Sequence, residues 1–253
     1  MNVHSDQALE YRHLDEVSST NDFLRSCSPS ADITVVSASF QTKGRGQMGN
    51  TWVSNSGENA LFSVLVCPTN LKATDGFVLS QAMALSIKEE LDMYIDGVCV
   101  KWPNDIYVNG EKICGTLIEN SLMGKSVGRS VIGSGINVNQ TTFPDGLAAP
   151  PTSIRLQTGR TMSPPDLIRA VVLRFARYYK EVQAGLYDNI REKYHCSLYL
   201  RGVQHTFQDE TGTFKGTISH VEPDGHIIIM DDNGAARRYA FKQVRLVCPI
   251  EEY

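Results

Sequence analysis

Lys101-Trp102-Pro103-Asn104-Asp105, followed after a short turn by Lys112-Ile113-Cys114-Gly115, gathers two lysines, a carboxylate, an amide and a glycine into one stretch. Upstream, Gln41-Thr42-Lys43-Gly44-Arg45-Gly46-Gln47-Met48-Gly49-Asn50 is a glycine-rich loop carrying an arginine. Glycines let a backbone approach a ligand closely and turn successive N–H groups toward an anion. The planar fork of Arg45 suits a carboxylate or a phosphate. Together these segments predict a pocket for an anion. Taken singly, each has a plainer reading. The loop is a hairpin with a solvated arginine, each lysine is a solvated cation because lysine is rarely buried, and Trp52 and Trp102 are core.

The elements that must position these groups can be read from periodicity. Val17 to Leu24 reads as a strand end passing into a helix, with Ser18, Ser19, Thr20 and Asn21 as candidate caps. Ile33 to Phe40 is a strand leading into the glycine loop, and Leu61 to Val66 is a short apolar run of the buried-strand kind, interrupted by Ser63. The pattern predicts a helix from Asp75 to Ile95 whose wet face carries Lys88, Glu89, Glu90 and Asp92. Val98 to Trp102 is a strand stopped by Pro103, and Asn109-Gly110 marks a tight hairpin because both turn positions need positive φ. Strict alternation beyond that turn puts Lys112, Cys114 and Thr116 on one face and Ile113, Gly115 and Leu117 on the other. Gly115 inside a strand marks a close approach by a ligand or another backbone.

Leu117-Ile118 and Val131-Ile132 are strands around Met123-Gly124-Lys125. Gly133-Ser134-Gly135-Ile136-Asn137 follows, with Asn137 either in a left-handed turn or offering its amide to a ligand. Ser163-Pro164-Pro165-Asp166 opens a helix with a clean apolar stripe from Leu167 to Val182. Beyond about residue 196 only short strands remain, separated by Thr211-Gly212, Asp224-Gly225 and Asn233-Gly234, and a small antiparallel barrel is expected.

The 253 residues suffice for one large domain or a large one plus a small one, and a net charge of −4 gives no global field toward nucleic acid or an anionic membrane. The six cysteines, Cys27, Cys67, Cys99, Cys114, Cys196 and Cys248, form no C-x-x-C pair. They read as small buried hydrophobes in a reducing compartment. The amino terminus, with His4, Asp6, Glu10 and Arg12, lacks the apolar core of a secretory signal. No apolar run is long enough to span a bilayer, so a cytoplasmic location is expected. The sequence contains neither a G-x-x-x-x-G-K-[ST] loop nor a G-x-S-x-G elbow, which disfavours classical P-loop and hydrolase chemistry.

In their order and spacing, these motifs resemble the biotin protein ligases. The likeness runs through Ser18 to Asn21, Gln41 with Lys43 to Gly46, Trp52, Lys101 to Asp105, Lys112 to Gly115, Gly133 to Asn137 and Thr152-Ser153-Ile154. The resemblance implies an α+β fold: a mixed β-sheet backed by helices, of the class II synthetase-like biotin ligase type, over 1–195, then a small C-terminal SH3-like β-barrel over 196–253. It implies that biotin and ATP, with Mg²⁺, give biotinyl-5′-AMP and pyrophosphate, and that biotin then passes to a lysine of a biotin carboxyl carrier domain. Ser19, Thr20, Asn21, Gln41, Gly44, Arg45, Lys112 and Gly115 are then expected at biotin. Lys101, Trp52, Asn104, Asn137, Gln47 and Arg245 are expected at ATP, and Lys112, Arg45 and Asp105 at the chemistry. Asp105 would position or deprotonate the acceptor amine.

Many relatives carry arginine where this chain has Gln47, and arginine or lysine where Asn50 stands, so a weaker hold on ATP and the adenylate is expected, with Lys43 or Lys112 as candidates to compensate. The region resembling the catalytic part begins near Tyr11, so the winged helix with which some relatives repress biotin genes is not expected. Nucleic acid and membrane are not expected partners, and a monomer or weak homodimer is expected. The rivals are a lipoate–protein ligase, which looks similar in fold, and a biotin-binding sensor without catalysis.

Overall fold

The computed structural model describes residues 9–147 and 149–247, apart from the side chain of Met48; the readings made for His4, Asp6 and Cys248 lie outside the described residues. The chain order is β1 (Leu9–Val17), α1 (Thr20–Ser26), β2 (Ile33–Gln41), β3 (Asn59–Val66), α2 (Val78–Leu91), β4 (Val98–Lys101), β5 (Asp105–Val108), β6 (Glu111–Met123) and β7 (Ser126–Asn137). There follow α3 (Ile154–Thr158), α4 (Pro164–Gln183), α5 (Asp188–Cys196), β8 (Gln204–Asp209), β9 (Gly212–Val221), β10 (Ile227–Asp231), β11 (Ala236–Tyr239) and β12 (Arg245–Leu246).

Seven strands form one mixed sheet in the order β1-β2-β3-β7-β6-β5-β4. The β1–β2 pair is parallel and the remaining pairs are antiparallel. Alternation along β3 sends Ala60, Phe62, Val64 and Val66 into the main core with α2 and α4, whereas Leu65 joins Leu24, Val36 and Val131 beneath α1 on the opposite face. The second face is only partly covered by α1, and the remainder is where the glycine loop lies.

The helix expected over 75–95 is shorter. A 3₁₀ turn at Ala73–Asp75 precedes α2, and Gly97 at φ +77° closes the exit. Its expected wet face is not wet throughout. Glu90 is buried and accepts from Arg174 of α4 at 2.6 Å, because α2 is held between the sheet and α4. The α4 stripe from Leu167 to Val182 is buried as its period requires, and Ser163 caps it by accepting from the Asp166 N–H. Asn109 at φ +50° and Gly110 at φ +83° make the expected turn between β5 and β6.

The cysteines are less uniform than expected. Cys114 is buried, Cys27, Cys67 and Cys99 are partly so, and Cys196 is exposed. Burial, with Asp105 nearby, pushes the Cys114 thiol up to about 12.

The last five strands form an antiparallel sheet ordered β11-β10-β9-β8-β12. It docks on the larger unit through Gly225, whose carbonyl accepts from Trp102 Nε1 at 2.9 Å, and through Val221, whose N–H donates to His195 Nε2 at 3.1 Å. Among the described residues, no helix is long and apolar enough to cross a membrane.

Candidate ligand pocket on the sheet face

Two neighbouring rows of residues make a floor. Leu61, Gly135 and Gly115 stand opposite one another across β3, β7 and β6, and Ser63, Gly133 and Leu117 form the next row. Three glycines remove side chains from the face that α1 leaves open. Trp52 lies in the slot this creates: a Cβ on Gly135 would come within 2.5 Å of the indole, and one on Gly115 within 2.9 Å. The indole Nε1 is buried without a hydrogen-bond partner. With Trp52 in place the cavity measures about 150 Å³. Small-molecule sites usually offer ~300–1,000 Å³, so the indole takes up part of the slot.

One end of the pocket carries uncharged hydrogen-bonding groups. Ser19 caps α1, accepting from the Asp22 N–H, and Asn21 turns inward instead of capping. Gln41 Oε1 accepts from the Thr20 N–H at 2.8 Å and from the Thr20 hydroxyl at 3.1 Å. The Ser63 hydroxyl lies 2.7 Å from Thr20 Oγ1 and donates to Asn21 Oδ1 at 2.6 Å. Ser63, which reads in the sequence only as an interruption of an apolar strand, is therefore the joint between two predicted residues.

The other end is charged. Lys112 and Asp105 form an ion pair at 2.7 Å, each 28% exposed, and both line the pocket. Strict alternation puts Lys112 and Gly115 on opposite faces, and the structure corrects this. β5 pairs Ile106 with Cys114 but Tyr107 with Lys112, so Ile113 is the extra residue of a β-bulge. The bulge restores Lys112 to the Gly115 face, where its Nζ lies 3.3 Å from the position of a Gly115 Cβ.

The glycine loop covers the slot. Its base hangs from β1 and the link to α1 through Thr42 N–H to Val17 and Lys43 N–H to Ser18, and its crown closes through Gly46 N–H to Asn50 and Trp52 N–H to Gly44. Gly44 is buried against the Trp52 carbonyl, which would lie 2.4 Å from an added Cβ. Arg45 reaches out of the loop to Asp22 at 2.7 Å and Glu119 at 3.1 Å. Burial alone would lower its pKa, but Glu119 and then Asp22 raise it, so the guanidinium stays charged.

Ser19, Asn21, Gln41, Arg45 and Gln47 thus line one cavity with Trp52, Asp105, Lys112 and Gly115. Other predicted residues stand behind or apart. Thr20 stands behind Gln41, and Gly44 lies within the covering loop against the Trp52 backbone. Asn104 is buried, with its amide donating to the Thr116 carbonyl at 2.6 Å, and Asn137 ends β7 in extended conformation with its amide on the Thr152 carbonyl at 2.9 Å. Lys101 donates to the Tyr107 hydroxyl at 3.0 Å. Arg245 does not reach the pocket; it donates to Gln208 in a separate cleft of the small sheet. The turn between β11 and β12 contributes Phe241 instead, which touches Trp102 edge-on and lines the cavity. Phe241 carries no sequence signal, because only the docking of the two sheets brings it there.

Among the described residues, the ligand atoms of Glu222, Asp224 and His226 converge within 4.8 Å, but Arg238 pairs with both carboxylates and His226 with Asp224. Asp105 is the only carboxylate among the described residues that lines the pocket, and Lys112 already holds it.

A slot in a mixed sheet, with uncharged hydrogen-bonding groups at one end, the Lys112–Asp105 ion pair at the other and a glycine loop over it, has the form of a small-molecule pocket. The chain belongs to the biotin/lipoate A/B protein ligase family, whose pattern matches residues 14–137. It is 30% identical over 214 residues to the bifunctional ligase/repressor BirA of Bacillus subtilis, covering 82% of this chain and 64% of that one. It is 28% identical over 207 residues to the biotin–[acetyl-CoA-carboxylase] ligase of Paracoccus denitrificans, covering 79% and 85%. The biotin protein ligase of Aquifex aeolicus, solved in complex with biotin and ATP, superposes with a TM-score of 0.77 at 26% identity, over 94% of this chain and 98% of that one. The chain thus spans just under two thirds of the length of the BirA protein it matches.

Proposed function

We propose that this chain is a biotin–protein ligase, joining biotin to ATP as biotinyl-5′-AMP with release of pyrophosphate, then passing biotin to a lysine of a biotin carboxyl carrier domain. The observation that carries this reading is the polarity of the pocket, from the Ser19–Asn21–Gln41 end to the Lys112–Asp105 end. A bicyclic urea has donors and acceptors but no charge, and it suits hydroxyls and amides. A carboxylate at the end of an aliphatic chain suits Lys112, with the glycine floor between the two. In the first step a carboxylate oxygen bonds to the α-phosphorus as the bond to pyrophosphate breaks. Two anions meet there, and a lysine fixed beside them is the main stabilising need.

Magnesium enters as part of the nucleotide substrate. The pocket offers it at most the Asp105 carboxylate, and phosphate oxygens can supply the rest of the shell. In the second step the acceptor amine attacks the acyl carbon and AMP leaves. Asp105, on the rim beside Lys112, is placed to orient that amine or take its proton. In this reading Trp52 and Gln47 of the pocket lining face the nucleotide, with Lys101, Asn104 and Asn137 standing behind them. The division into a catalytic unit at 1–195 and an SH3-like unit at 196–253, and a cytoplasmic location, belong to the same proposal.

The test is biotin-dependent exchange of pyrophosphate into ATP, with lipoate as the alternative substrate. Wild type should exchange with biotin. Lys112→Ala should fall by about 10²–10³, the usual loss when one donor to developing negative charge is removed. Exchange with lipoate alone would move the chain to the sister activity. Full exchange in Lys112→Ala would remove that residue from the mechanism.

A further inference from the structure

Glu119 lies outside the pocket surface, yet it joins the loop above the pocket to the residues beneath. It follows Leu117 on the same face of β6, at the border between α1 and the glycine loop. Its carboxylate accepts from Asn21 Nδ2 of α1 at 3.0 Å and from Arg45 Nη2 of the loop at 3.1 Å, and Arg25 Nη1 stands 3.6 Å away. The Asn21 amide then continues to Ser63, Ser63 to Thr20, and Thr20 to Gln41. A line of hydrogen bonds therefore runs from the loop arginine to the neutral end of the pocket.

An asparagine amide has a donor end and an acceptor end, whereas an ionised carboxylate only accepts. Glu119 thus fixes which way Asn21 points: nitrogen toward itself, oxygen toward Ser63. The charge of Arg45 is also spoken for. With Asp22 at 2.7 Å and Glu119 at 3.1 Å, an anion approaching this guanidinium meets two carboxylates first.

We propose that Glu119 is a positioning residue that couples closure of the glycine loop to the orientation of Asn21 and the neutral end of the pocket, with Arg45 serving as the clasp of the loop and not as a ligand for the substrate's anion. The identity of the ligand rests on the biotin-ligase reading; the clasp does not. When the clasp is made, the loop lies over the slot and Asn21 is set for an uncharged ligand. When it is broken, the loop is freed and Asn21 loses its fixed orientation.

Glu119→Gln keeps the size and removes the charge. Two readouts separate the clasp from the ligase reading. In the unliganded protein, trypsin should cut after Lys43 about tenfold faster in the variant, as expected for loss of one charged hydrogen bond. In pyrophosphate exchange the KM for biotin should rise about tenfold while kcat at saturating biotin stays within about twofold, and Glu119→Asp should recover part of the loss. Unchanged cleavage together with unchanged KM would overturn the proposal. So would a fall in kcat with KM unchanged, which would place Glu119 at the chemistry. If wild type shows no exchange, the ligase reading fails and cleavage after Lys43 decides the clasp alone. If Glu119→Gln does not fold, Arg45→Gln opens the clasp from its exposed side, and equal cleavage there would overturn it.

Discussion

The floor and the roof of the pocket are built by different physics. The floor is three central strands whose backbone groups pair along their length, with glycines on the pocket side and a packed core on the other. The roof at 43–52 has a few backbone bonds at its base and crown, and one arginine tied to two half-exposed carboxylates. Burial and ladder hydrogen bonds hold the floor whether or not a ligand is present. Exposed ion pairs are worth about 0.2–1 kcal/mol each, so the roof is held by little and can open. The floor thus sets which molecule fits, and the roof sets how long it stays and how dry it is. The mixed anhydride of the proposed reaction would need both, since it hydrolyses if wetted.

The largest effect is expected in the floor. In Gly133→Ala the new methyl would lie 2.0 Å from Asn21 Oδ1 and 3.1 Å from Ser63 Oγ, and neither side chain is free to move. Overpacking of this kind costs about 1–3 kcal/mol. The displaced Asn21–Ser63 bond leaves buried polar groups unsatisfied at a similar cost. Calorimetry should show a loss of several degrees in Tm, and titration should show biotin affinity weaker by about 10². Wild-type affinity in this variant would mean that the ligand does not use the Gly133 side of the slot.

Asp105→Asn tests the rim between floor and roof. It removes the partner of Lys112 but keeps the shape, so exchange of pyrophosphate should fall by less than about tenfold. Transfer from preformed adenylate to a carrier domain should slow by about 10², within the usual range for a lost general base. Transfer at the wild-type rate in a single-turnover assay would take Asp105 out of the second step.

The same contrast explains what could be read from the sequence. Strands, hairpins and the α4 stripe follow from periods of 2 and 3.6, and Asn109-Gly110 announced its turn through positive φ. The lysine, the glycines and the loop arginine stood out as residue types that an ordinary surface or core does not need. Three things were hidden. The bulge at Ile113 reverses the facing of Lys112, and alternation alone cannot show one extra residue. Ser63 and Glu119 act through partners about 40 and 100 residues distant in the chain, which only strand order brings together. Phe241 meets the pocket through the docking of a second sheet, whereas Arg245, expected there, sits on an edge strand facing another cleft.

The roof should yield the smallest effect, and an informative one. Gly49 holds φ +84°, and a Cβ there meets nothing within 4 Å, so Gly49→Ala changes backbone preference without changing packing. An L-residue in the left-handed region costs about 1–2 kcal/mol, and here that cost falls on the closed loop alone. Because the loop belongs to neither core, Tm should stay within about 2 °C of wild type, while the KM for biotin rises about fivefold, the factor that roughly 1 kcal/mol represents. If Tm instead fell as far as in Gly133→Ala, the loop would be part of the cooperative fold, and a rigid pocket would replace the picture of a fixed floor under a movable roof. A raised KM with unchanged Tm would place the control of ligand residence in the backbone of residues 43–52 and its arginine clasp, and leave recognition to the sheet.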